Sequence, residues 1–387
     1  MRLRLAWLLW IGMAGCGESG GVGGTYVTRD SAGIRIVEVD VPAAPAQRWV
    51  VSPSPVVEFG LKAPANAVLY FVRGAVRLSN EEVVIANGGA HQLHWYDASG
   101  ELLRTVGREG AGPGEFGQLN WIARHGADSV LVLGGRARRL SVFDPGGTFV
   151  RSVPVAARGD YWGTFADGSP LLGQDRYGGE GFVRQDVVLW KLSVADGSAD
   201  SLGTYGGDEQ IIGRDGNMFF ILSAPFGRQG VFAVSGARYL VADQEQYEIS
   251  EYTSDGGLAR LFRIRQTPAT VTSVDIDRFR EGSIAAYEGS DLEAWQRRLD
   301  EQPYPDVFPT HGAMMVDKLG QLWLQAFPKP WDELVEWWVF DPEGRPIGTV
   351  TLPTAFEAYE IGEDYLLGKW ADSLDVEHVG MYGLSKP

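Results

Sequence analysis

The chain has 387 residues, 44% of them hydrophobic and 22% charged, which excludes an intrinsically disordered protein and leaves enough apolar material for a core. Thirty-four basic against 50 acidic side chains give a net charge of −16, and an acidic surface repels phosphate, which argues against a nucleic-acid partner. One cysteine, Cys16, excludes intrachain disulfides, thiolate zinc sites and CxxC redox chemistry.

At the N-terminus Arg2 and Arg4 precede an apolar run, Leu5 to Met13, and the small residues Ala14 and Gly15 precede Cys16. This is the layout of a secretory signal, too short for a comfortable transmembrane span. The only cysteine falls where a lipobox places it, so Gly12 to Cys16 resembles the bacterial lipoprotein signal. The resemblance implies cleavage before Cys16, lipidation of its thiol and acylation of the new amine. Several acyl chains give stable anchoring where one does not. The sequence thus divides into a signal (1–15), a lipidated Cys16 with a Gly-rich tether (16–28) and a body (29–387). Gly17, in place of Asp after the cysteine, favours the outer membrane by family-level inference.

The body alternates apolar and polar residues in segments of about five to eight, bounded by Gly, Asp, Asn and Pro. One unit reads Val83 to Ala86, Gln92 to Tyr96, a turn Asp97-Ala98-Ser99-Gly100, then Leu102 to Val106. The turn returns at Asp144-Pro145-Gly146-Gly147, Asp196-Gly197, Asp255-Gly256 and Asp341-Pro342-Glu343-Gly344, at spacings of 47, 52, 59 and 86 residues. Asp bonds the turn backbone and Gly takes the positive φ that a tight hairpin needs. Earlier hairpins at Asp167-Gly168, Ser235-Gly236 and Asp317 to Gly320 make each unit four short strands, the content of one propeller blade. A sixth unit, from Ala358 to Tyr382, is a strand short. Either Gly33 to Val39 or Val56 to Phe59 would complete it and hide the edges.

A helix is predicted over Ile284 to Leu299, where Leu292, Trp295 and Leu299 share a face and Ser290 with Glu293 suggests its start. It reads as an insertion between the fourth and fifth units.

The Gly/Pro connection Gly107 to Phe116, the Asp-x-x-Gly turns, the opening Arg29-Asp30-Ser31-Ala32-Gly33-Ile34-Arg35 and the closing Asp375-Val376-Glu377-His378-Val379 resemble the NHL-repeat propellers, and more narrowly the bacterial six-bladed β-propeller lipoproteins. The likeness spans roughly residues 28–385. It implies an all-β, six-bladed propeller of four-stranded antiparallel blades. Most members have no assigned activity, and some propeller relatives are lactonases or lyases with a channel metal.

Catalytic motifs are sparse. Gly110, Gly112 and Gly114 lack the Gly-Lys-Ser/Thr ending of a phosphate loop. His91 and His94 are three apart on a predicted strand, so they point to opposite faces and would not chelate one metal. No GxSxG elbow is present. No cofactor, metal ligand or catalytic residue is therefore assigned.

Topology supplies the remaining expectation. In a four-stranded blade the second hairpin and the inter-blade connections share one face. That face collects the long segments Gly107–Gln118, Gln174–Arg184, Tyr205–Gly230, Gln266–Gly312 and Phe327–Glu333. Function usually sits on such loops, and aromatic and Arg side chains are enriched at hot spots. Arg176, Tyr177, Phe226, Arg228 and Trp331 are the candidate binding residues. The expected protein is a monomeric, lipid-anchored module of the cell envelope that binds a protein, peptide or glycan. A lactonase-like hydrolase or lyase with a channel metal is the alternative.

Overall fold

The computed structural model describes residues 26–40, 47–61, 67–134, 138–215, 218–285 and 288–386. The signal, Cys16 and most of the tether lie outside the described residues. Among those residues, no helix is long and apolar enough to cross a membrane.

Strands dominate the described residues, arranged as six sheets that are antiparallel but for one pairing. The first holds Val72–Arg77, Val83–Asn87, Gln92–Tyr96 and Leu102–Val106. The second holds Leu119–His125, Ser129–Gly134, Arg139–Phe143 and Phe149–Pro154. The third is built on Asp160–Thr164, Pro170–Arg176, Gly181–Leu192 and Ala199–Asp215, with Met218–Ser223 added. The fourth holds Val231–Ser235, Arg238–Ala242, Glu248–Thr253 and Leu258–Ile264. The fifth holds His311–Val316, Leu322–Ala326, Leu334–Phe340 and Pro346–Pro353. The sixth holds Glu357–Ile361, Tyr365–Ala371 and Glu377–Ser385. This succession of four-stranded meanders is a β-propeller arrangement.

The repeated turns form as the sequence predicts. Asp97 Oδ1 accepts from the backbone N–H of Ser99 and of Glu101, while Gly100 sits at φ +85°. Asp317 Oδ1 and Asp372 Oδ1 each accept from two backbone N–H groups of a turn in the same way. Asp341 bonds the Arg345 N–H.

Six apolar clusters lie between successive sheets. Phe116 and Phe143, 5.8 Å apart, join Trp95 between the first and second sheets. Trp121 stacks on Tyr161 at 5.0 Å between the second and third, and Trp162 meets Phe232 at 5.1 Å between the third and fourth. Phe262 meets Phe340 at 4.9 Å, then Trp49 meets Trp323 at 5.6 Å, and Phe59 meets Tyr96 at 5.6 Å between the sixth sheet and the first. Each buried aromatic contributes about 2–3 kcal/mol through the apolar area it removes from water.

The N-terminal segment resolves the missing strand. Val57–Phe59 pairs antiparallel with Glu377–Ser385, and Val50–Val51 pairs with the end of the same strand. Ile34–Val39 instead runs parallel to Leu258–Ile264 and widens the fourth sheet, with Tyr26–Ser31 beyond it.

Two readings of the sequence need correction. The insertion holds two helices, α1 (Ser273–Ile284) and α2 (Gly289–Glu301). α2 corresponds to the predicted helix, but Glu288 occupies its N-cap, so Ser290 lies inside the first turn. The true capping box is at α1, where Thr272 and Asp275 bond reciprocally. The segments Gln174–Arg184 and Tyr205–Gly230 are largely strand, not loop. Gly181–Leu192 and Ala199–Asp215 pair along most of their lengths, and Met218–Ser223 completes a three-stranded arm.

Candidate functional site

The connection from Gly107 to Phe116 is a structural clasp. Arg108 Nη2 lies 2.6 Å from Glu115 Oε1, and Glu115 Oε2 accepts from the Gly112 N–H at 2.8 Å. Phe116 is buried and packs on the second sheet's Phe143. Gly107, at φ +92°, lies so close to the Phe116 ring that a Cβ there would come within 2.4 Å of it.

The site itself opens on the same face, where the third, fourth and fifth sheets meet. A cavity of about 650 Å³ is bounded there by Asp160, Trp162, Asp175, Asp208, Ser223 to Gly227, Gln229 to Val231, Gln244, Phe279, Gly312 to Met314, Gln325, Phe327, Pro328 and Pro330. The third sheet supplies the acidic wall. Asp160 is the first residue of its strand, Asp175 the penultimate residue of the next, and Asp208 lies on the fourth strand. Asp208 sits at a bulge, because Arg184 pairs with Glu209 and Asp186 with Gly206, leaving Gly207 and Asp208 opposite Gln185 alone. Bulges of this kind re-aim a side chain beside a site.

The carboxylates feel one another. Burial, then the charge of Asp175, pushes the Asp160 carboxyl above the usual carboxylate range. Burial and the same Asp175 charge push Asp208 up as well, opposed by a bond from the Gly230 backbone and by Arg184. Tyr177 Oη donates to Asp175 Oδ2 at 3.0 Å. Its phenol is pushed up, first by burial and then by Asp175.

The opposite wall is aromatic. Phe226 packs within 5.2 Å of Phe279 on α1, 5.0 Å of Phe308 and 6.1 Å of Trp331, ring centre to ring centre. It is 5% exposed and sits at φ +52°, a strained conformation that the surrounding rings hold in place. Lys329 Nζ bonds Asp275 Oδ1 at 2.9 Å and lies 5.6 Å from the Trp331 ring, and Arg278 lies 4.9 Å over that ring. These contacts fasten α1 to the segment 327–331. Gly173 lets Trp162 lie flat against the third sheet, since a Cβ there would meet the indole nitrogen at 2.6 Å.

The five candidate residues separate in this geometry. Phe226 lines the cavity, and Trp331 packs behind it. Tyr177 is exposed at the rim, bonded to Asp175, and Arg176 is exposed beside it. Arg228 is held from below. Its Nε lies 2.7 Å from Glu209 Oε1, its backbone N–H bonds Glu209 Oε2 at 2.9 Å, and its guanidinium also meets Glu245 at 3.2 Å. Asp160, Asp175, Asp208, Trp162 and Phe279 were not singled out from sequence. Each is unremarkable in its local segment, and only the pairing of three strands in the third sheet and the packing of α1 on Phe226 bring them to one cavity.

His91, at φ +56°, occupies a turn, and His94 is fully buried between Tyr96 Oη at 3.3 Å and Gln92 at 3.2 Å. Among the described residues, no group of three or more His, Cys, Asp or Glu side chains is placed to hold a metal ion.

No protein-family model and no curated protein matches the chain. Solved structures do resemble it. A protein of Bacteroides fragilis assigned as exported superposes with a TM-score of 0.50 at 12% identity, over 90% of this chain and 98% of its own. A member of the DUF4221 family from Bacteroides vulgatus superposes with a TM-score of 0.50 at 10% identity, over 88% and 99%. A gluconolactonase from Xanthomonas campestris covers 83% and 87% at 13% identity, with a TM-score of 0.41. At these identities the first two likenesses speak to the fold alone.

Proposed function

We propose that this chain is a closed six-bladed β-propeller, lipid-anchored outside the cytoplasm, that binds a protein, peptide or glycan in the cavity between its third, fourth and fifth sheets. Ring closure is supported by the six inter-sheet clusters, the last of which joins the sixth sheet to the first, and by the pairing of Val57–Phe59 with Glu377–Ser385. In this reading the six sheets are the blades, the body is a single domain from residue 29 onward, and the two helices are an insertion. Export and anchoring rest on the sequence from Arg2 to Cys16; the likeness to a protein assigned as exported agrees with that address. In this reading the chain acts as a monomer.

The observation that carries the binding reading is the cavity. It lies on the face that gathers the long connections, and aromatic side chains make much of its wall. The lactonase-like alternative calls for a channel metal; among the described residues no group of three or more His, Cys, Asp or Glu is placed to hold one.

Ala313 lines the cavity and is exposed into it, so Ala313→Trp should plug it without disturbing a charge. Immobilised wild-type protein should retain a ligand from cell-envelope extracts that the plugged variant loses at an unchanged melting temperature. Equal retention by both would overturn the cavity as the site. For the anchor, Cys16→Ser should release the protein from membranes and stop signal processing. Continued membrane association with normal processing would remove the lipoprotein assignment.

A further inference from the structure

We infer that this cavity takes an organic cation: an ammonium or guanidinium group carried on an apolar or aromatic body, as in a basic peptide side chain. The inference deepens the function proposed above and rests on the same cavity being the binding site.

Its charge is of one sign. The lining contains three aspartates and no Lys, Arg or His. The basic side chains nearest to it are engaged elsewhere. Arg184 donates to the carbonyls of Gly207 at 3.2 Å and Asp243 at 2.7 Å, Arg228 is bound by Glu209 and Glu245, and Lys329 is bound by Asp275. Asp160 and Asp208 are partly desolvated and repelled by Asp175, so an incoming positive charge relieves a strain already present. The three carboxylates do not converge as a metal cage among the described residues, whereas a multi-donor organic cation can pair with carboxylates set apart along a wall. Trp162 beside them on the third sheet, and Phe226, Phe279 and Phe327 across the cavity, offer ring faces and edges to an apolar body, and ring faces attract cations.

A separate feature points the same way. His311 is fully buried, next in sequence to the lining residue Gly312. Its Nδ1 lies 2.8 Å from the Gly312 carbonyl, an acceptor, so the ring proton sits on Nδ1. Nε2 is then a buried acceptor, and it has no hydrogen-bond partner among the described residues. Buried acceptors are rarely left so. On the fifth sheet, one residue from the cavity lining, it is a further group that calls for a donor.

The test uses the full mature chain and two probes, an acetylated and amidated hexapeptide alternating lysine with phenylalanine, and the same peptide with every lysine replaced by glutamate. Calorimetric titration should show the lysine peptide binding at least about tenfold tighter, the order of one charge-assisted contact. Asp160→Asn combined with Asp175→Asn should erase that preference. Equal affinity for the two peptides, or a preference surviving in the double variant, overturns the inference. Should the double variant melt early, Asp208→Asn alone serves, together with the weakening of lysine-peptide binding by added salt that charge pairing requires. 2-Phenylethylamine as a third probe separates sources: binding like the lysine peptide means a free amine suffices, and weaker binding means a peptide is read. If Ala313→Trp abolishes retention of the envelope ligand while the two hexapeptides bind alike, the cavity remains the site and only its charge preference falls.

Discussion

Glu58 Oε1 lies 2.7 Å from His378 Nδ1, joining residues 320 positions apart. The pair links the strand Val57–Phe59 to the final strand Glu377–Ser385, beside the backbone bonds that complete the sixth sheet. The imidazole also stacks on Trp370, 5.4 Å away and 13° from parallel. His378→Ala removes both contacts, for a loss of about 1–2 kcal/mol, the scale of a hydrogen bond plus partial ring packing. Amide exchange should quicken first in residues 50–59 and 377–385. A uniform acceleration across all six sheets would mean that the clasp is not local and would reject this account.

That clasp marks the limit of what the sequence reveals. The turns at Asp97, Asp144 and Asp341 are legible because each is closed by bonds spanning two to four residues, which the local sequence encodes. Which N-terminal strand completes the sixth sheet is a pairing over more than 300 residues, and both candidates alternate well enough to serve. The helix α2 was legible through Leu292, Trp295 and Leu299. α1 was not, because none of its residues is buried and its sequence carries no apolar stripe. The arm Tyr205–Asp215 reads as loop through Gly206, Gly207 and Asp208, the last two being the residues of the bulge. The acidic wall shares this obscurity: its members come from three strands whose convergence only tertiary pairing sets.

Turn glycines should differ sharply in tolerance. Gly197, at φ +75°, closes a turn of the third sheet, and a Cβ there would fall 1.9 Å from the Pro154 carbonyl oxygen of the second sheet. Gly236, at φ +61°, has nothing within 4 Å. Gly236→Ala should therefore cost only the left-handed conformation, about 1 kcal/mol. Gly197→Ala must also move backbone and should cost about 3 kcal/mol or more. Urea unfolding of the two variants measures the difference, and equal midpoints would show that the close approach to Pro154 does not hold in solution.

Stability should fall on mild acidification through two histidines. Burial lowers His94 from 6.5 to about 4, and burial likewise lowers His311 to about 4. In each case the unfolded chain takes up a proton near its ordinary value while the folded protein does not. Their contribution is therefore complete above about pH 6.5 and is lost as pH falls toward 4, by up to about 3 kcal/mol for each histidine. Unfolding free energies measured at several pH values should drop steeply across that window for the wild type. They should drop less for His311→Gln, in which the titrating group is gone. Parallel pH profiles for the two proteins would refute the role of His311.

From sequence alone, Arg228 and Trp331 read alike as candidate binding residues on the long-loop face. The geometry separates them. Glu209 is 5% exposed, and two of its acceptor contacts come from Arg228, one from the side chain and one from the backbone. Arg228→Ala removes the side-chain contacts and leaves a buried carboxylate with an incomplete shell, a change that costs about 3 kcal/mol. Arg228→Ala should thus lower the melting temperature more than Trp331→Ala, whose ring is only half-buried and packs at the outside of the Phe226 cluster. Glu209→Gln together with Arg228→Met should recover part of the loss, because a neutral pair leaves no buried charge uncompensated. Thermal unfolding of the three proteins decides the matter: if Arg228→Ala melts with the wild type, the arginine is a surface side chain after all and returns to the list of ligand contacts.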